Sequence, residues 1–348
     1  MFFASDNAGP AHPKVIEALS KANEGYAMGY GADAIMDRVR DKIRDVFEAP
    51  EAAVYLVATG TAANSILLAT MAQPWQTIFC SPMAHIHEDE CNAPEFYSGA
   101  KLTIVPAENA KMTPETLRAS IEGEETRGVH GPQRGPVSIT QVTEKGTVHS
   151  VNEIKALTGV ASDYGLKCHL DGARFANALA ALGCTAAEMT WKAGIDAVSF
   201  GGTKNGLLGV EACVMFDPEL AWEFELRRKR GGHLFSKHRY LSAQMDAYLT
   251  DDLWLDMAAN ANARCAQLTT GLRGIDHVAL SFEPEANMIF FQMPRAEHAR
   301  VLAGGATYYV MDGDHTSGDP DRLLTGRLVT DWSMTEDVIE SFLALMRV

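Results

Sequence analysis

Apolar positions along the chain follow two alternating rhythms. Continuous apolar runs of strand length fall at residues 53–58, 77–80, 102–105, 137–142, 167–170, 196–201 and 211–216. Between them the apolar residues space out to a helical period. Val15, Ile16, Leu19 and Ala22 share one face of a helix over 12–24, with Pro13 at its first position. Ile35, Val39, Ile43 and Val46 mark the next helix, and Gly60 opens an apolar one. Thr113 caps a helix that starts at Pro114. Capping boxes at Ser150-x-x-Glu153 and Thr185-x-x-Glu188 open two more. Strands that are apolar throughout, each followed by a helix, predict an α/β fold with a mostly parallel sheet covered on both faces.

The rhythm changes near residue 220. A helix to Arg230 and a helical stretch from about 241 to 272 follow. Strands are then predicted at 285–293, 308–311 and 327–330, with helices at 295–303 and 335–347. Ser333-x-x-Glu336 reads as the cap of the last helix. The pattern predicts a large α/β domain over 1–245, then a connecting helix and a small C-terminal α+β domain over 246–348.

Composition narrows the classes. Hydrophobic residues make up 47% of the 348, as in globular enzymes. A net charge of −15 argues against a nucleic-acid partner. Arg227-Arg228-Lys229-Arg230, the one basic run, suits a helix C-terminus. No apolar run is long enough to span a membrane, and the first residues lack signal-peptide character. Six scattered cysteines without C-x-x-C spacing suit reduced thiols, and the expected location is the cytoplasm.

Ligands in such sheets sit beyond the carboxyl ends of the strands. There the chain offers Thr59-Gly60-Thr61, His85, Thr143-Glu144, Asp171 to Arg174, and Thr203-Lys204. Gly60 and Thr61 open a helix whose free N–H groups suit a phosphate. Lys204, framed by glycines and apolar residues, reads either as a turn lysine or as a desolvated amine able to attack a carbonyl. Asp171 reads either as half of an Asp–Arg pair or a helix cap, or as a carboxylate that keeps a heteroaromatic nitrogen protonated. His85 reads as a structural histidine, as a ring stacked on a planar ligand, or, with His87, as part of a metal-dependent hydrolase. The metal spacing lacks a compact second ligand group, so no metal ligand is assigned. Together a phosphate cradle, a carboxylate, a lysine and a stacking ring meet the needs of pyridoxal 5'-phosphate. The interval of 204 − 171 = 33 residues leaves room for one helix and one strand between neighbouring strand ends.

At Ser5-Asp6-Asn7, Tyr30-Gly31, Thr59 to Asn64, Ala84-His85, Asp171 to Arg174, Gly202 to Gly206 and Arg327 to Thr330, the chain resembles the threonine aldolase and β-eliminating lyase family of fold-type-I pyridoxal-phosphate enzymes. Residues 89–96 and 189–194 resemble its bacterial low-specificity L-threonine and phenylserine aldolase branch. The resemblance implies cleavage of L-β-hydroxy-α-amino acids to glycine and an aldehyde. It implies that Lys204 carries the cofactor covalently, Asp171 pairs with its ring nitrogen, and Arg174 lies near its phenolic oxygen. His85 would stack on the ring and handle a proton. Gly60, Thr61 and Asn64 would contact the phosphate. Ser5, Arg174 and Arg327 would bind the substrate, bordered by Tyr30 from a neighbouring subunit, and Lys237 would reach a neighbour's phosphate. A homo-oligomer, dimeric unit or tetramer, with sites at subunit interfaces follows from the same likeness. Relatives often carry histidine where this chain has Thr143-Glu144, which leaves the base for the hydroxyl proton unassigned. β-Elimination or transamination on the same scaffold is the rival reaction.

Overall fold

The computed structural model describes residues 1–347. A seven-stranded sheet runs in the order Ala53–Val57, Glu211–Met215, Ala197–Gly201, Cys168–Gly172, Gln133–Thr140, Gln76–Cys80, Lys101–Ile104. Six strands are parallel, and Glu211–Met215 runs antiparallel to both neighbours. The central strands Cys168–Gly172, Ala197–Gly201 and Glu211–Met215 are buried at every position, which is why they read as unbroken apolar runs. The predicted mostly parallel α/β sheet is therefore present. The reversed strand is the feature that periodicity cannot carry, because an apolar run has no direction.

Three sequence expectations need correction. The helical stretch over 241–272 is two helices, Arg239–Tyr248 and Leu253–Leu272. Asp251 and Asp252 both take φ of 53° and break it. The last helix, Glu336–Met346, has Thr335 at its N-cap with no side-chain cap bond. Ser333 instead donates to Asp331, which also accepts from the Ser333 N–H. Asp171 is not a helix cap either. It lies inside its strand, and the next helix, Phe175–Leu182, starts four residues later.

A second, antiparallel sheet follows in the order Ala279–Leu280, Met288–Pro294, Leu323–Val329, Tyr309–Val310. Its own apolar core includes Leu268, Leu272, Ile289, Phe291, Leu328, Phe342 and Leu343. Phe3, from the opposite end of the chain, is fully buried in that core. Its ring lies 4.7 Å from that of Phe342. Phe3 also donates its N–H to Thr307 and accepts from Val329 N–H. The N-terminal arm is thus a bonded part of the second sheet's edge.

Three residues on, the arm meets the first sheet. Asp6 is buried and accepts from Arg174 Nε at 2.6 Å and from a second guanidinium nitrogen at 3.0 Å. Asn287 Nδ2 adds a third bond at 3.2 Å. Burial alone would raise the Asp6 pKa. The charges of Arg174 and Lys204 and the hydrogen bonds of Arg174 and Asn287 overcome that and hold it below 3.8.

Two outcomes follow for stability. Phe3→Ala should cost about 3–5 kcal/mol in denaturant unfolding, the usual range for a buried aromatic. Asp6→Ala should cost a similar 3–5 kcal/mol or so, because it strands a buried guanidinium. The Asp6 carboxyl binds its proton less readily folded than unfolded, so its contribution is complete above its unfolded pKa. It should fade as pH falls from about 4 through the lowered value, and acid unfolding of Asp6→Ala should lack that component.

Candidate active site

The carboxyl ends of the parallel strands surround a cavity of about 380 Å³. Gly60, Thr61, Asn64, His85, Glu144, Asp171, Arg174 and Lys204 all line it. A larger hollow of about 550 Å³ lies between helices Pro13–Ala22 and Arg239–Tyr248. Among its charged lining residues Arg38 pairs with Asp246.

Each wall has a local cause. The strand Ala53–Val57 ends in Thr59, which caps the helix Gly60–Met71 by accepting from Ala62 N–H at 3.2 Å. The N–H groups of Gly60 and Thr61 find no acceptor among the described residues, and both residues line the cavity. Asp171 is buried at the end of its strand. Its Oδ1 accepts from Ala173 N–H at 3.1 Å and its Oδ2 from Asn64 Nδ2 at 2.9 Å. Asn64 spends its other amide hydrogen on Glu90 at 2.9 Å. It therefore aims two carboxylates rather than extending the N–H cradle.

His85 begins a short helix, His85–Glu88, beyond the strand Gln76–Cys80. Its Nδ1 is 2.8 Å from the buried Glu90 Oε1. That bond is the main cause raising the imidazole pKa, against burial. The His85 backbone N–H donates to Glu144 Oε1 at 2.7 Å. His87, by contrast, is exposed and lies 3.4 Å from Glu88. Among the described residues no group of three histidine, cysteine or acidic side chains is arranged to hold a metal ion.

Lys204 stands on the turn between two antiparallel strands, Ala197–Gly201 and Glu211–Met215. A Cβ on Gly201 would lie 2.5 Å from Ala173 O, so only glycine lets the lysine strand end press against the Asp171 strand end. Gly206, at φ +90°, closes the turn. Glu211 accepts from Gly202 N–H at 2.8 Å and from Thr203 Oγ1 at 2.5 Å. Asn205 donates to Tyr248 OH and Trp254 O, both at 2.8 Å. Gln244 Oε1 takes Leu208 N–H at 2.9 Å. Glu211, Tyr248, Trp254 and Gln244 thus hold the turn, and none of these bonds uses the Lys204 amine. Burial, then the Arg174 charge, lowers its pKa; Asp6, Asp171 and Glu211 pull the other way. Glu211 itself is pushed up to about 7 by burial.

Four residues named from sequence do not line the cavity. Ser5 caps the turn Asp6–Ala8 through Asn7 N–H. Arg327 lies on the second sheet, donates to Ala4 O at 3.0 Å, stacks on Tyr309 and leaves Nε unpartnered. Its lowered pKa, due first to burial and then to Arg174, shows that the two guanidinium groups are close. Tyr30 is 54% exposed beneath Lys229, and Lys237 is exposed. Residues that sequence reasoning gave no role are Asp6, Glu90, Glu144, Glu211 and Asn287. Asp6 lay inside a quoted motif and Glu90 shortly after His85, but Asp6 pairs with Arg174 across 168 residues and Glu90 with Asn64 across 26.

Comparison with known proteins agrees with this geometry. The family described as Beta-eliminating lyase matches residues 3–295. A low specificity L-threonine aldolase of Pseudomonas sp. is 43% identical over 313 residues, 89% of each chain. One of Pseudomonas aeruginosa is 41% identical over 314 residues, 90% of each chain. A solved threonine aldolase of Leishmania major superposes with a TM-score of 0.92 at 24% identity, covering 99% of this chain and 98% of that one. A Sphingomonas wittichii serine palmitoyltransferase gives 0.73 at 15% identity, covering 100% and 86%, and shares the fold. The chain belongs to the β-eliminating lyase family.

Proposed function

We propose that the protein is a pyridoxal-phosphate-dependent aldolase that cleaves L-β-hydroxy-α-amino acids to glycine and an aldehyde. L-Threonine, L-allo-threonine and β-phenylserine are its substrate types. The observation that carries this reading is the shared rim. Asp171, Lys204 and the open N–H groups of Gly60 and Thr61 line one cavity. Relatives above 40% identity over nine-tenths of the chain bear the aldolase name.

The residues present fit the cofactor. An amine with a lowered pKa and no hydrogen bond is suited to hold an aldehyde carbon. A buried carboxylate oriented by Asn64 and Ala173 suits a protonated ring nitrogen. Free N–H groups at a helix start suit a dianionic phosphate. Lys204 would hold the cofactor, Asp171 its ring nitrogen, Gly60 and Thr61 its phosphate, with His85 against the ring. When bound, the cofactor supplies an electron-poor ring that accepts the pair released at Cα.

The chain's own residues then bind and orient. Arg174, fixed by two bonds to Asp6, presents a guanidinium of set direction at the cavity wall. Arg327, with Nε free, is the second guanidinium for a substrate carboxylate, and Ser5 stands on the same arm. Holding that carboxylate sets which bond at Cα stands perpendicular to the ring.

The same reading includes a homo-oligomer with sites completed across subunits. Tyr26, Met28, Tyr30 and Phe235 are exposed apolar residues. Two loops carry them, and Tyr30 N–H bonds Ser236 O at 3.1 Å. A neighbouring copy covering them would bring Tyr30 and Lys237 to its site. Among the described residues no helix is long and apolar enough to cross a membrane, and the six cysteines are free. Both fit the expected cytoplasmic setting.

The test is product analysis on L-threonine, L-allo-threonine and β-phenylserine in D and L forms. Aldehyde and glycine should appear in equal amounts, and chelator should change nothing. Ammonia with a keto acid would instead place the chain among β-eliminating enzymes. Lys204→Ala should lose both turnover and the cofactor's visible absorbance band.

A further inference from the structure

The cavity holds one acidic group that the roles above leave unused. Glu144 follows the strand Gln133–Thr140 and lines the cavity with His85, Asp171 and Lys204. Its two oxygens differ. Oε1 is committed to the His85 N–H at 2.7 Å. Oε2 is buried and has no hydrogen-bond partner among the described residues. A buried carboxyl oxygen left unpaired costs stability, and such groups call for an explanation. Here the position suggests one, because retro-aldol cleavage needs a proton acceptor beside the substrate hydroxyl.

We propose that Glu144 is the group that takes the β-hydroxyl proton, with its unpartnered Oε2 touching that hydroxyl in the cavity shared with Lys204. The inference rests on the aldolase reading and deepens it. The hydroxyl O–H bond breaks and its proton passes to Oε2. The Cα–Cβ bond breaks as the aldehyde C=O forms, and the electron pair stays with Cα. Cα then takes up one proton to become glycine, and Glu144 releases the proton it gained. The carboxylate is restored and no oxidant or reductant is consumed.

The surroundings favour Glu144 over its neighbours. His85 is the other candidate, but its hydrogen bond to Glu90 raises its pKa and holds the ring toward the cationic form. A cationic imidazole has no lone pair to accept a proton. Asp171 keeps both oxygens occupied by Ala173 and Asn64. Lys145, the next residue, is turned away over the Phe290 ring. The charged and titratable groups that share the cavity with Glu144 are His85, Asp171, Arg174 and Lys204, and the Cys80 thiol, raised first by burial, also feels its charge. Burial is the largest influence on Glu144 and pushes it up to about 7, with Asp171 adding to the rise. A base of that strength is matched to neutral pH.

The experiment compares the wild-type holoenzyme with Glu144→Gln and Glu144→Asp on L-β-phenylserine. Glutamine keeps an oxygen for the His85 N–H but cannot take the proton. In Glu144→Gln, kcat/KM should fall roughly 10²–10³-fold, the usual contribution of a positioned base. The wild-type rise of kcat/KM with pH, centred near 7, should vanish in Glu144→Gln and persist at a lower rate in Glu144→Asp. Two readouts should stay at wild-type values in both variants: the visible cofactor band, and the exchange of glycine Cα–H in D₂O. Glycine has no hydroxyl, so its exchange does not call on this base. An acid limb that survives in Glu144→Gln overturns the proposal. So does glycine exchange that falls in step with aldehyde release in both variants, since Glu144 would then be structural. Wild-type enzyme that releases no aldehyde from any of the three substrate types overturns the aldolase reading and this inference with it.

Discussion

One buried ion pair couples the two sheets to the cavity. Asp6 belongs to an arm whose Phe3 is sunk in the second core, while Arg174 belongs to the loop after the Asp171 strand. Asn287, at the head of a strand in the second sheet, bonds the same carboxylate. The guanidinium that faces the cavity is thus oriented by Asp6, 168 residues away, which Asn287 in turn holds across a separation of 281. A charged pair in this setting is weak as net stabilisation but exacting about geometry, since either partner alone would be an uncompensated buried charge. The arm, the second sheet and the cavity wall therefore have one relative arrangement that satisfies all three groups.

The charges within the cavity are also balanced against one another. Arg174 and Lys204 share it with Asp171, and Asp6 and Glu211 lie just outside. Removing the Lys204 charge costs less because Arg174 stands close, and the carboxylates keep that shift from being larger. Glu211 bonds the residues on the N-terminal side of the lysine, and burial shifts it toward its neutral form. It tethers the turn without adding a full negative charge beneath the amine.

Much of this was legible in the sequence where local chemistry decides it. Apolar runs marked the strands, proline and capping boxes marked helix starts, and strand ends marked the rim. The capping boxes at Ser150 and Thr185 form as read. What escaped was set by distant partners. Ser333 had the spacing of a cap, yet Asp331 beside it is the better acceptor. The break at Asp251 and Asp252 is hidden in a helical period because apolar spacing continues across it. Nothing local in the sequence marks Glu90 as buried, but Asn64 and His85 draw it inside. Glu144 was visible at a strand end and as a departure from relatives, but a carboxylate after a strand carries no sign of burial.

The reversed strand Glu211–Met215 has a consequence for how the lysine moves. In a purely parallel sheet the segment after Ala197–Gly201 would lead into a crossover helix, free to shift with that helix. Here the chain turns back at once, and Gly201 pairs with Glu211 across the ladder. Lys204 rides a short hairpin loop, stapled at both ends to the middle of the sheet. Its middle is tied to two helices as well, through Asn205 to Tyr248 and Trp254 and through Leu208 to Gln244, so sheet and helices fix its position together. The amine is a fixed reference point, and any motion during a reaction must come from the walls that face it.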